Sequence, residues 1–374
     1  MAGQGVRVVV SGGGTGGHIF PAIAVAESLQ RIANAETLYI GGTSGMETQI
    51  VPREGLMYQA VTARKLRRVI SLSTIGVVAS LLRGYAQAKA CLKAFRAQAV
   101  VGTGGYVAAA TVLAGARLGL PVIILEGNAI AGRTNRLQAR FARWICVAFQ
   151  ETLAQFPGGR AVQTGLPLRA GIVLPPEVNA RQARCALPGL SPDRFTLLVL
   201  GGSQGARGIN LRVLDAAPRL LQVGVQILHQ TGRANEAEVR AIAQARGLEA
   251  QSGYVPLPFL EHNQISLALR AADLIVCRGG ISTLSEVMVN GLPALIVPLP
   301  TAYADHQTHN ARVLERAGAA LLCPERDLTG ESLTEMVLEL RDAPHRRAQM
   351  AGAMRAMGRP HAADHVARLV LNTL

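Results

Sequence analysis

Short apolar runs alternate along the chain with longer stretches whose apolar residues recur at helical spacing. That alternation predicts parallel strands joined by crossover helices. In the first half, Val6–Val10, Thr37–Ile40, Ala99–Val101, Val122–Leu125 and Trp144–Ala148 read as strands. Helices are expected over Ile23–Ala33, Ile75–Ala97, Tyr106–Leu118 and Thr134–Ala142. In the second half, Thr196–Leu200, Val225–Gln230, Leu274–Cys277, Ala294–Val297 and Ala320–Cys323 read as strands. Gly208–Leu221, Ala234–Arg246, Ile265–Ala272, Thr283–Val289 and His309–Ala317 read as the matching helices.

Both halves open alike. Val6–Val10 runs into Ser11-Gly-Gly-Gly-Thr-Gly-Gly-His18, and Thr196–Leu200 runs into Gly201-Gly-Ser-Gln-Gly-Ala-Arg207. Between them, Gly165–Pro192 carries Pro167, Pro175, Pro176, Pro188 and Pro192, which suits a linker. The expected class is therefore α/β, with two Rossmann-like parallel-sheet domains facing across a cleft. Residues 1–168 would form the first domain and 169–345 the second, with a helical segment over about 346–374 crossing back onto the first.

Charge adds a distinction between the halves. The net charge is +14 over 374 residues, and residues 1–170 hold 18 Lys+Arg against 6 Glu, a net of +12. An anionic partner for that half is implied: nucleic acid, an acidic membrane surface or a phosphorylated substrate. No apolar run approaches the ~18 to 20 residues that span a bilayer. The apolar Val8–Val10 ends at once in glycines, unlike a signal peptide. Five scattered cysteines, Cys91, Cys146, Cys185, Cys277 and Cys323, suggest buried thiols in a reducing compartment.

Glycines at a strand-to-helix turn let backbone amides and the helix dipole approach an anion. Gly12, Gly14 and Gly17 fit GxGxxG, but the second strand ends in Gly41-Gly42 where a dinucleotide site needs an acid. Neither loop ends in the Gly-Lys-Ser/Thr of a nucleotide-hydrolysing loop. His18, at the mouth of the first turn, is placed for acid–base work. Gly102-Thr-Gly-Gly-Tyr106, Glu126-Gly-Asn128 and Arg278-Gly-Gly280 follow other strands, and Glu286 stands where a carboxylate can accept from a ribose diol. Asp305-His306-Gln307 with Asn310 suits the hydroxyls of a sugar. The pairs His306/His309 and His361/His365 lack a matching third ligand, so no metal is expected.

In order, Gly13-Gly-Thr-Gly-Gly-His18, Gly102-Thr-Gly-Gly-Tyr-Val107, Glu126-Gly-Asn128 with Asn135, Thr164-Gly-Leu-Pro167 with Arg169, Gly201-Gly-Ser-Gln-Gly-Ala206, Arg278-Gly-Gly280 with Glu286, and Asp305-His-Gln307 resemble the MurG family of glycosyltransferases, over residues 6 to about 322. The resemblance implies the GT-B fold and transfer of N-acetylglucosamine from UDP-N-acetylglucosamine, with inversion, to the muramoyl C4 hydroxyl of undecaprenyl-diphosphate-linked lipid I. It implies no metal and no other cofactor. It sets Thr15, Gly16, Gly17, His18, Tyr106, Glu126 and Asn128 toward the acceptor and reaction centre, where His18 is the candidate for the base that takes the hydroxyl proton. It assigns the donor to Thr15, Gly16, Gly17, Asn128, Arg169, Ser203, Gln204, Gly205, Leu260, Arg278, Gly279, Gly280, Glu286, His306 and Gln307. The chain departs from the family pattern at Ala108–Ala110, Leu125, Gly127 and His306.

The basic half then gains a location. Arg64, Lys65, Arg67, Arg68 and Arg83 flank an apolar stretch with Ile75, Val78 and Leu82, a pattern suited to resting on anionic lipid. The expectation is a peripheral protein on the cytoplasmic side of the plasma membrane, alongside other proteins of cell-wall synthesis or division. Nucleic acid is disfavoured, because residues 60–100 offer only Tyr85 and Phe95 beyond position 58 for stacking. The rival readings are another transferase or a UDP-sugar epimerase of the same fold, and a non-catalytic nucleotide-sugar sensor.

Overall fold

The computed structural model describes residues 5–63, 73–202 and 205–374. The chain forms two compact units, Met1–Arg169 with Arg359–Leu374, and Ala170–Gly358. Each is built on one parallel sheet.

The first unit has seven strands: β1 (Arg7–Gly12), β2 (Glu36–Gly42), β3 (Met57–Val61), β4 (Ala99–Gly104), β5 (Val122–Glu126), β6 (Trp144–Val147) and β7 (Ala161–Gln163). Their order is β3-β2-β1-β4-β5-β6-β7. The second unit has six: β8 (Thr196–Leu200), β9 (Gln226–Gln230), β10 (Tyr254–Leu257), β11 (Leu274–Cys277), β12 (Ala294–Ile296) and β13 (Ala320–Leu322), in the order β10-β9-β8-β11-β12-β13. In both sheets the first strand lies beside the fourth, so the winding reverses at β1/β4 and at β8/β11. Ligands of open α/β sheets sit outside the carboxyl ends of strands at such points.

The central strands are covered on both faces, which explains their unbroken apolar runs. Along β1, Val8 and Val10 face the Gly16–Ala33 and Ala362–Leu371 helices, while Val9 turns to the opposite core with Ala88, Leu92 and Val112. In the second unit, Leu197 and Val199 of β8 pack with Ile209, Val213 and Leu214 of the Arg207–Gln222 helix.

The ten strands expected from sequence are present, and three more appear: β3, β7 and β10. All three are edge strands, and their residues are largely half-exposed. An edge strand needs no continuous apolar run and tolerates Pro256 within it. Several helices begin earlier than expected, most of all at Gly16 rather than Ile23, and by three residues at His262 rather than Ile265 and at His306 rather than His309. Glycines and Pro21 mask the first of these starts. Helices Glu47–Arg53, Ala180–Cys185 and Gly330–Asp342 were not expected, and Thr134–Ala142 is shortened to Arg133–Gln138.

At the C-terminus, Pro344–Met357 is a helix of the second unit, packed on Ile281–Asn290. Ala362–Leu371 belongs to the first unit and adds Val366, Ala367 and Val370 to its core. Asp364 ties it to the Gly16–Ala33 helix, accepting from Ser28 Oγ at 2.6 Å and pairing with Arg31.

Candidate active site

At the carboxyl edge of the first sheet, β1 and β4 approach so closely that glycine is required. A Cβ on Gly12 would fall 2.2 Å from Thr103 Oγ1, and one on Gly104 (φ +112°) 2.5 Å from His18 Nδ1. The His18 ring therefore occupies the space that a side chain at position 104 would need. Its Nδ1 is 2.9 Å from the Thr103 carbonyl oxygen. A carbonyl can only accept, so Nδ1 carries the proton, and in the neutral ring Nε2 is the basic nitrogen. Thr103 returns the contact by donating from Oγ1 to the His18 carbonyl at 2.6 Å.

The Gly16–Ala33 helix starts immediately after exposed Thr15, whose carbonyl accepts from His18 N and Ile19 N at 3.0 and 3.2 Å. Thr15 makes no side-chain capping bond. The first-turn amides of Gly16 and Gly17 therefore accompany His18 at an electropositive helix end. Tyr106 stands beside Gly14, with Cε1 3.5 Å from where a Cβ would be. Arg169 stacks on Phe20 at 4.3 Å from the ring centroid, and Phe20 in turn packs against Gly16. Thr15, Gly16, Gly17, His18, Tyr106 and Arg169 thus gather around one turn.

Glu126 serves its own loop. Its Oε1 accepts from Asn128 N at 2.9 Å and Nδ2 at 3.3 Å, and its Oε2 from Gly132 N at 2.8 Å and Asn135 Nδ2 at 2.9 Å. A buried carboxylate with four donors organises the segment that presents Asn128. Two residues that the sequence did not single out join this edge: Thr103, and the buried Glu47 that accepts from Gly14 N at 3.3 Å. Thr103 appears in the sequence only as one member of Gly102-Thr-Gly-Gly-Tyr106, and a lone Glu before a short helix carries no pattern that separates it from a surface residue.

The second unit repeats the plan. Gly201 and Gly205 open the turn after β8, and a Cβ on Gly205 (φ +74°) would fall 2.4 Å from the Thr231 carbonyl oxygen. Ser203 and Gln204 lie outside the described residues. After β11, the Gly279 peptide is held on both sides. Its N–H donates to Gln307 Oε1 at 3.1 Å, and its carbonyl accepts from Asn310 Nδ2 at 3.1 Å. Leu299 N also donates to Gln307 Oε1 at 2.9 Å. With its oxygen bound to two backbone amides, the Gln307 side chain has a fixed amide assignment, and its Nε2 remains a donor. His306 is set the same way as His18: its Nδ1 donates to the Tyr303 carbonyl at 2.8 Å, leaving Nε2 basic.

Arg278 is directed inward. It donates to the Val297 and Pro298 carbonyls at 3.1 and 3.2 Å and pairs with Glu325 at 2.5 Å. It braces the ends of β11 and β12 against the turn after β13. Gly280 leads into the Ile281–Asn290 helix, on which Glu286 is half-buried. Leu260 is buried beside Phe259, over whose ring Arg233 lies at 5.1 Å.

Behind this edge lies a buried polar chain. His229 Nδ1 accepts from Tyr254 Oη at 3.1 Å, its Nε2 donates to Asn210 Oδ1 at 3.1 Å, and Asn210 Nδ2 donates to the Thr231 carbonyl at 2.8 Å. Burial pushes the His229 imidazole down to about 3, so it is neutral. Among the described residues, no group of three or more His, Cys, Asp or Glu is placed to hold a metal ion.

Two family models match the chain: the glycosyltransferase family 28 N-terminal domain over residues 8–147, and its C-terminal domain over residues 196–366. A protein of Desulforudis audaxviator, 40% identical over 98% of both chains, is named UDP-N-acetylglucosamine--N-acetylmuramyl-(pentapeptide) pyrophosphoryl-undecaprenol N-acetylglucosamine transferase. A relative of the same name from Moorella thermoacetica is 39% identical over 99% of both chains. Among solved structures, MurG of Acinetobacter baumannii superposes with a TM-score of 0.76 at 31% identity, covering 98% of this chain and 99% of its own. A UDP-GlcNAc 2-epimerase of Neisseria meningitidis shares the fold, with a TM-score of 0.71 at 16% identity over 99% of this chain and 100% of its own. With both family domains matched along its length and relatives at this identity, the chain belongs to glycosyltransferase family 28.

Proposed function

We infer that the protein transfers N-acetylglucosamine from UDP-N-acetylglucosamine to the C4 hydroxyl of the N-acetylmuramoyl-pentapeptide carried on undecaprenyl diphosphate, with inversion at the sugar. The observation that carries this is near full-length identity of about 40% to enzymes named for that transfer. The tautomer of His18 and the amides of the first helical turn support the reading. In the first unit, His18 Nε2 takes the proton of the attacking hydroxyl, with Thr15, Gly16, Gly17, Tyr106 and Asn128 around the acceptor. As the bond to the diphosphate breaks, negative charge grows on the leaving group. First-turn amides and Arg169 oppose that charge without a metal.

In the second unit, Ser203, Gln204 and Gly205 would receive the diphosphate, Glu286 the ribose, and the Leu260 backbone the uracil. The Nε2 donor of Gln307 and the ring of His306 would hold the sugar hydroxyls. Arg278, Gly279 and Gly280 shape this edge, with Arg278 acting through its brace to Glu325. Glu126 acts through the loop of Asn128.

The acceptor is a lipid, and the first unit offers a surface for it. Leu81, Leu82, Leu137 and Phe141 are exposed, among exposed Arg83, Arg133, Arg136, Arg140 and Arg143. They lie on or next to the Ser73–Phe95 and Arg133–Gln138 helices, both packed on the Gly105–Arg117 helix. Arg64, Lys65, Arg67 and Arg68 lie outside the described residues, as do the side chains of Ile75 and Val78. Among the described residues no helix is long and apolar enough to cross a membrane. Apolar side chains ringed by arginine support peripheral attachment to the anionic cytoplasmic leaflet. The test is transfer of labelled sugar from UDP-N-acetylglucosamine onto a short-chain analogue of the lipid acceptor. A labelled lipid-linked disaccharide supports the reading, and labelled free sugar alone contradicts it.

A further inference from the structure

Glu47 is the first residue of the Glu47–Arg53 helix, and its side chain is fully buried beneath the Gly12–Thr15 turn. Oε2 accepts from Gly14 N at 3.3 Å, while Oε1, equally buried, has no hydrogen-bond partner. Three glycines make room for this carboxylate. A Cβ on Gly13 would lie 2.7 Å from Oε1, one on Gly42 3.1 Å from Oε1, and one on Gly45 2.6 Å from Oε2. Two phenols complete the surroundings, with Tyr39 donating to the Gly12 carbonyl at 2.9 Å and Tyr58 to the Gly42 carbonyl. Burial, and after it the Glu47 charge, push both phenols up, so they stay protonated.

Packing alone gives no reason for a carboxylate there. A buried acceptor without a partner is costly, and an apolar side chain of the same size avoids that cost. What the carboxylate does is grip a turn whose glycines, including Gly14 at φ +85°, have little rigidity of their own. That turn leads directly into Gly16, Gly17 and His18. Its Gly13 carbonyl also rests on Gly105, next to the Gly104 backbone beside which the His18 ring lies.

We propose that Glu47 is a positioning residue of the sugar transfer, holding the Gly12–Thr15 turn from below so that His18 and the first-turn amides keep their reacting geometry. The spare oxygen lets the turn adjust to an anionic substrate without leaving the carboxylate. This rests on the transferase reading above, and it concerns a residue to which that reading gives no role.

The test compares Glu47→Gln, Glu47→Asp and the unaltered protein. Each is measured for kcat, donor KM, melting temperature and amide hydrogen exchange of the segment over residues 12–20. Glu47→Gln keeps the volume and an oxygen that can accept from Gly14 N–H, but it removes the charge and puts a buried NH2 group in place of the unpartnered Oε1. The expected result is a kcat lowered about 10- to 100-fold, as small misplacements of reacting groups produce. Donor KM and melting temperature should stay close to the unaltered values, exchange in residues 12–20 should quicken, and Glu47→Asp should recover part of the rate. A kcat within twofold and unchanged exchange in Glu47→Gln would overturn the proposal. So would parallel losses of kcat, donor binding and melting temperature in both variants, which mark a merely structural residue. If the unaltered protein transfers no sugar, the transferase reading fails by itself. The exchange comparison then still decides whether Glu47 holds the turn.

Discussion

His18, the proposed base, has its tautomer set by a contact that no side chain supplies: the Thr103 carbonyl fixes the proton on Nδ1 and makes Nε2 the basic nitrogen. His18→Ala should therefore lower turnover by about 10²- to 10³-fold, the scale of a lost general base, while UDP binding stays near normal. An unchanged rate at saturating substrates would remove His18 from that role. His229 has the opposite character, because burial keeps it uncharged. The unfolded chain takes up a proton on this residue below pH ~6.5, whereas the folded one resists until about pH 3, so stability falls as pH drops through that window. By pH 4.5 the loss is on the order of 2 kcal/mol. His229→Gln should flatten this part of the dependence. Melting temperatures of both proteins at pH 7.5 and pH 4.5 check it, and an equal drop in the two would contradict the assignment. The histidine at the glycine turn was legible in the sequence because its neighbours form a pattern. Glu47 and Thr103 were not, since their significance lies in what folds against them. Arg278 stood out in the sequence beside its glycines, but its inward pairing with Glu325 depends on a turn 47 residues further along the chain.

Central strands announced themselves because burial on both faces demands continuous apolar residues, as in Leu197, Leu198 and Val199. The edge strands β3, β7 and β10 stayed hidden for the same reason, since half-exposed strands have no such demand. Helix starts were the other blind spot, and they matter because the proposed site residues lie there. The early starts at Gly16 and His306 put His18, His306 and Gln307 in first turns, near unpaired amides. Before the second of these helices, Ala304 and Asp305 both adopt left-handed backbone, at φ +51° each. Aspartate tolerates that region better than alanine. Ala304→Asn should thus stabilise the protein by about 0.5–1 kcal/mol and raise the melting temperature by roughly 2 °C. A lower melting temperature would show that the turn does not favour this conformation in solution.

At the scale of the molecule, the positive excess of the first 170 residues coincides with the unit that carries His18 and the arginine-ringed apolar side chains. Vesicles containing anionic lipid should bind the protein, binding should weaken with salt, and Leu82→Glu with Phe141→Glu should reduce it without affecting donor affinity. Salt-independent binding would refute the electrostatic part. The near-neutral second half, with its amide-held Gln307 and half-buried Glu286, suits a soluble nucleotide sugar. The two halves of the reaction meet in a single observable, the release of UDP from UDP-N-acetylglucosamine with and without the lipid-linked muramoyl-pentapeptide acceptor. Release that requires the acceptor and matches lipid-linked disaccharide mole for mole is the predicted result. Release that proceeds equally without acceptor, or none with both substrates present, would contradict it.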